Sequence, residues 1–138
     1  MLTLSRILIA IVVALFLSAC QTTVPNTSGI VFEEDALRQH NLELSNATAN
    51  FNDGTLTISG GIGPTQKRPH IACGQLQLRI LDTQGVLLKT LNTDYSPCHL
   101  HYGPNTRRTG SFSVVINDIH QQALIIKASY QKKPHEAH

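Results

Sequence analysis

His99-Leu100-His101 is the step in this sequence whose spacing first suggests chemistry. In an extended chain, side chains two apart point to the same side, so both imidazoles can grip one ion. His70 lies in an earlier polar loop and supplies a third nitrogen if the fold brings the two loops together. Three imidazoles suit Cu(II) or Zn(II). The tail His135-Glu136-Ala137-His138 offers a second, independent pair. The competing reading is plain. The chain has seven histidines, and histidines on polar loops are usually just solvated. Arg107-Arg108 offers guanidinium groups to a phosphate or an anionic head group, or is a solvated loop pair. Gly60-Gly61-Ile62-Gly63 lacks the Lys-Ser/Thr step and helix of a phosphate loop and reads as a strand-ending turn. There is no G-x-S-x-G elbow, no H-E-x-x-H and no paired carboxylate motif. The expectation is a chain that is not an enzyme and holds no cofactor other than copper or zinc at His70, His99 and His101.

The amino-terminal residues carry a sharper pattern. Arg6 precedes an apolar run from Ile7 to Leu17, which is shorter than the roughly 20 residues a membrane span needs. The run closes on Leu17-Ser18-Ala19-Cys20, which resembles the lipobox of bacterial lipoproteins. The resemblance implies a signal peptide over 1–19, cleavage before Cys20, and a diacylglycerol on the Cys20 sulfur. Two or three acyl chains exceed the threshold for stable anchoring, at about 0.8 kcal/mol per buried methylene. Gln21, rather than Asp, implies the outer membrane, with the domain facing the periplasm. The alternative is an uncleaved amino-terminal helix that stays as the anchor. The chain has three cysteines. With Cys20 lipidated, Cys73 and Cys98 remain as an even pair in an oxidising compartment, and a disulfide between them is expected.

The elements that would position these groups are strands. Residues 20–40 are small, polar and broken by Pro25 and Gly29, which predicts a tether, with a short helix possible within 32–40. From 41 to 131 the apolar residues alternate. A first strand runs from Leu42 to Phe51, and Asn52-Asp53-Gly54 is a hairpin turn. A second strand covers Thr55–Ser59, and Gly60 to Pro64 breaks it. Leu76, Leu78 and Ile80 then share one face, Asp82 to Gly85 turns the chain, and Val86 to Leu91 returns. Phe112, Val114 and Ile116 mark another strand, and Leu124, Ile126, Ala128 and Tyr130 mark the last. Six to seven short strands without an amphipathic helix predict an all-β fold, a small antiparallel β-sandwich, followed by a polar tail over 132–138. The rhythm from Gly74 to Leu87 is similar to one strand–turn–strand of immunoglobulin-like, fibronectin-like or transthyretin-like sandwiches, a likeness of fold that implies no function. A hairpin centred between 83 and 84 would set Cys73 opposite residue 94, so a disulfide would tie the 62–72 loop to the 94–108 loop.

Composition narrows the rest. With 14% charged and 41% hydrophobic residues, the balance is globular. A net charge of +2 and no tryptophan argue against a nucleic-acid surface, which needs a concentrated basic face and stacking platforms. The expected partners are a membrane, through Cys20, and another envelope protein.

Overall fold

The computed structural model describes residues 29–133. Cys20, the 1–19 segment, residues 21–28 of the expected tether and the tail histidines His135 and His138 lie outside the described residues.

Among the described residues, ten strands and one short helix follow in order: β1 (Ile30–Glu33), α1 (Asp35–Arg38), β2 (Leu42–Asn52), β3 (Thr55–Pro64), β4 (Arg68–Ile71), β5 (Gly74–Leu81), β6 (Leu87–Thr93), β7 (Leu100–Tyr102), β8 (Arg107–Arg108), β9 (Gly110–Ile116) and β10 (Leu124–Lys132). They form a four-stranded sheet in the order β1-β10-β5-β6, and two three-stranded sheets, β2-β3-β9 and β4-β7-β8. The first two sheets close on one core. Leu76, Leu78 and Ile80 of β5 and Leu124, Ile126 and Ala128 of β10 meet Leu56, Ile58 and Ile62 of β3 and Phe112 and Ile116 of β9, all buried. Fully burying a Leu or Ile side chain contributes about 1.5–3 kcal/mol. That alternation is the reason β5 and β10 are strands, since Gln75, Gln77 and Arg79 face outward between the buried positions. The fold is an all-β sandwich.

Four expectations are corrected. The sandwich includes residues ahead of 41. Ile30 to Glu33 pairs in parallel with Leu124 to Lys127, so residues 29–40 are not tether and the sandwich is not wholly antiparallel. The helix in this region is short, and Leu37 fixes it by complete burial. Glu34 braces it, accepting from the Leu44 amide at 2.7 Å while pairing with Arg38 at 3.1 Å. Second, Gly60 to Pro64 does not end a strand, because β3 runs through to Pro64. Opposite it, β2 carries a bulge between Ser45 and Thr48, with Asn46 at a φ of 49°. A Cβ on Gly60 would come within 2.9 Å of the Ala47 Cα, so the glycine admits the bulged strand. Third, the β5–β6 register sets Leu76 opposite Thr93 and Gln77 opposite Asn92, two residues beyond the expected pairing. The loop is wider because Asp82 Oδ1 accepts from the amides of Gln84 and Val86, each at 2.9 Å, with Gly85 at a φ of 85°. Fourth, the two polar loops are not irregular, since each contributes strands to the β4-β7-β8 sheet.

Candidate functional site

The rim sheet joins the two chemistry-bearing loops edge to edge. Arg68 lies opposite Tyr102 and Ile71 opposite Leu100. His101 lies opposite Arg108 and Tyr102 opposite Arg107. Leu100 is the residue that seats this sheet, being buried in the main core with Ile71 packed beside it. Beside the sheet, Cys73 and Cys98 are joined in a disulfide, Cα to Cα 4.9 Å, closing a separation of 25 residues. A loop of that size corresponds to roughly 3–4 kcal/mol of chain-entropy stabilisation. The Ser96–Pro97 peptide bond just before it is cis, and Ser96 exchanges backbone hydrogen bonds with Ser111 at 3.0 and 2.9 Å, fixing the approach to Cys98.

Two tyrosines lie close to Gly74, the residue after Cys73. The Tyr130 hydroxyl donates to the Ala72 carbonyl at 2.8 Å. Its ring lies where a side chain on Gly74 would stand, so glycine there lets β10 and β5 close together. Burial raises the Tyr130 pKa. Tyr95 is buried against Gly110, and its hydroxyl has no hydrogen-bond partner among the described residues. Burial pushes its pKa up to about 12. The Gly74 backbone opposes that shift slightly without meeting hydrogen-bond geometry.

Arg107 is structural rather than a waiting anion site. Its Nε donates to the Pro64 carbonyl at 3.1 Å, its Nη2 to Glu43 at 2.6 Å, and its guanidinium stands 5.7 Å from the Tyr102 ring centroid. It thereby pins the rim sheet to β2 and β3. Arg108 is exposed. Asp94, also exposed, accepts from Lys133 at 2.9 Å and from Gln75 at 3.0 Å. The Lys133 bond, then the Gln75 bond, holds its carboxyl below the ordinary value of 3.8.

Among the expected metal ligands, His99 is exposed one residue before β7, and the His101 ring packs over Gly103. His70 sits in β4, the strand hydrogen-bonded to β7. Among the described residues, the ligand atoms that gather within 4.8 Å of one another belong to Cys73, Cys98 and His99. Two of these are sulfurs already bonded to each other, and His101 is not in the group. The structural roles of Glu43, Gly74 and Tyr130 were not foreseen from the sequence. For Arg107 and Glu43 no local signal exists, because the partners are 64 residues apart. For Gly74 and Tyr130 the cue lay in a glycine beside a cysteine and an aromatic at the end of the last strand.

Comparison with protein-family models, curated proteins and solved structures finds no match, so the reading of function rests on the geometry and the sequence.

Proposed function

We propose that this chain is a lipid-anchored, non-catalytic protein of the cell envelope that presents its disulfide-clamped rim to another envelope protein. The observation that carries the reading is the placement of the two ends. The described chain starts at β1, where Ile30 lies opposite Leu124. The rim lies at the other end of the same sheet, where Lys132 lies opposite Gly74. β5 separates them by its eight residues, roughly 25 Å. A chain leading from Cys20 therefore joins the described domain at the end opposite the rim. The rim is clamped in one shape, as a recognition surface should be. The signal pattern supports export and lipidation, and Gln21 supports the outer membrane facing the periplasm.

Photo-crosslinking tests this. A benzophenone side chain at Thr106 or Arg108, in the full-length protein in cells, should give one dominant adduct. The same probe at Thr90, on the edge strand β6, should not. Equal labelling at all positions, or none, overturns the reading.

A second reading is a copper or zinc site formed by His70, His99 and His101. It is supported by the adjacency of β4 and β7, and by His99 and His101 flanking the inward Leu100. Calorimetric titration with Cu(II) and Zn(II) should then show one site that His99→Ala with His101→Ala abolishes. Unchanged affinity in that double variant removes it.

A further inference from the structure

The large apolar side chains that remain exposed among the described residues are Val31 at 56%, Val86 at 56%, Leu87 at 47% and Val115 at 64%. Scattered singly, such residues need no explanation. Three of these are not scattered. Val115 is the penultimate residue of β9 and lies opposite Thr57, close to the β2–β3 turn and so at the end where the described chain starts. The other three belong to that end of the four-stranded sheet. Val31 lies opposite Ile125, Ile125 opposite Leu81, and Leu81 opposite Leu87, with Val86 next in the chain. Inward positions on these strands are Phe32, Ile126 and Ile80, so Val31 and Leu87 lie on the outer face, with buried Leu81 between them and Val86 exposed in the hairpin at its edge.

The next row on the same face is charged. Glu33 lies opposite Lys127, Lys127 opposite Arg79, and Arg79 opposite Thr90. Lys127 pairs with Glu33 at 3.1 Å, and Arg79 is exposed. Beyond it comes an uncharged polar row of Ser129, Gln77 and Asn92. The face thus grades from apolar, through a band with net positive charge, to neutral polar. Asp82, at the hairpin tip beside the row, has one carboxylate oxygen engaged by the Gln84 and Val86 amides.

We propose that this face docks on the lipid surface that holds Cys20, with Val31, Val86 and Leu87 in the boundary between head groups and acyl chains and Arg79 and Lys127 against anionic head groups. The proposal rests on the lipid-anchor reading above. Chain length selects this occupant. Cys20 and Gly29 are nine residues apart, a reach of at most about 30 Å, and the apolar row begins just two residues later with Val31. A tether that short keeps the row at millimolar effective concentration beside the bilayer, so a small apolar area suffices. Apolar residues at the boundary with cationic groups just above them is the arrangement that interfacial anchoring favours.

The chain has no tryptophan, so one introduced indole reports alone. Full-length lipidated protein carrying Val86→Trp, or Asn105→Trp at the rim as the distant reference, is placed in vesicles of phosphatidylethanolamine and phosphatidylglycerol with brominated acyl chains. The expected result is quenching of the Val86→Trp signal at least about two-fold stronger than for Asn105→Trp. That excess should be lost when Val31→Asp and Leu87→Asp are added. Equal quenching at both sites, in protein that floats with the vesicles, overturns the docking and leaves the anchor reading standing. Protein that does not float overturns both. A blue shift of Val86→Trp that grows with protein density, without bromine quenching, assigns the face to a second copy and overturns lipid docking.

Discussion

The two ends of the sandwich are held by different physics. Where the described chain starts, local backbone chemistry shapes the turns. Asp53 and Gly54 take φ values of 47° and 79° in the β2–β3 hairpin, and Asp82 and Gly85 shape the β5–β6 hairpin. At the rim, β7 and β8 pair locally, but the ties that hold them to the sandwich are not local. The disulfide spans 25 residues, Tyr130 reaches 58 residues back to Ala72, and Arg107 reaches 64 back to Glu43. Local turns re-form by themselves after any opening. A rim built from distant partners holds its shape only while the whole sheet stack is intact, and the covalent bond compensates for that dependence.

This contrast can be broken in order of effect. Cys73→Ser with Cys98→Ser should cost roughly 3–4 kcal/mol of unfolding free energy, read by denaturant titration. Hydrogen exchange should rise at the rim in that variant before it rises at the hairpin turns. A loss shared evenly by both ends would mean that the rim is not separately clamped. Gly85→Ala, at a φ of 85°, should cost about 1 kcal/mol and leave rim exchange unchanged. The two rim tyrosines should then diverge. Tyr130→Phe gives up its bond to Ala72 and should lose about 0.5–1.5 kcal/mol. Tyr95→Phe removes a buried hydroxyl without a partner and should be neutral or stabilising. The smallest effect is electrostatic. Because the folded state lowers the Asp94 pKa, the bonds to Lys133 and Gln75 add stability above its ordinary value, and that stability fades as pH falls through the folded value. An NMR titration should place its midpoint below 3.8, and Lys133→Ala should bring it back toward that figure.

How much of this was legible follows from the same contrast. The alternation at Leu76, Leu78 and Ile80 and at Leu124, Ile126 and Ala128 named the core faces correctly, because period two is a property of neighbouring residues. Asn52-Asp53-Gly54 announced its hairpin for the same reason. The Cys73–Cys98 bond was foreseen from cysteine arithmetic and is present. The glycines at 60 and 61 misled, because alone they read as a break, and only the bulge on β2 explains why a strand runs through them. β1 was missed because Ile30-Val31-Phe32 is too short to show a period, and its pairing is with residues at the far end of the chain. The rim sheet was seen only as two neighbouring loops. Its strands are two to four residues long and exist because the disulfide and Leu100 bring them together.

The parallel pairing of β1 with β10 has a mechanical consequence. β1 leads from Gly29 toward the rim end, and the Leu124 amide donates to the Gly29 carbonyl at 2.7 Å. A pull on the chain ahead of Gly29, resisted by whatever grips the rim, acts along β1 and loads its short ladder in shear, with all its rungs strained together rather than one by one. Traction between the two ends would therefore meet its stiffest resistance first, and a force large enough to slip β1 would lengthen the leash while the disulfide still held the far rim in shape.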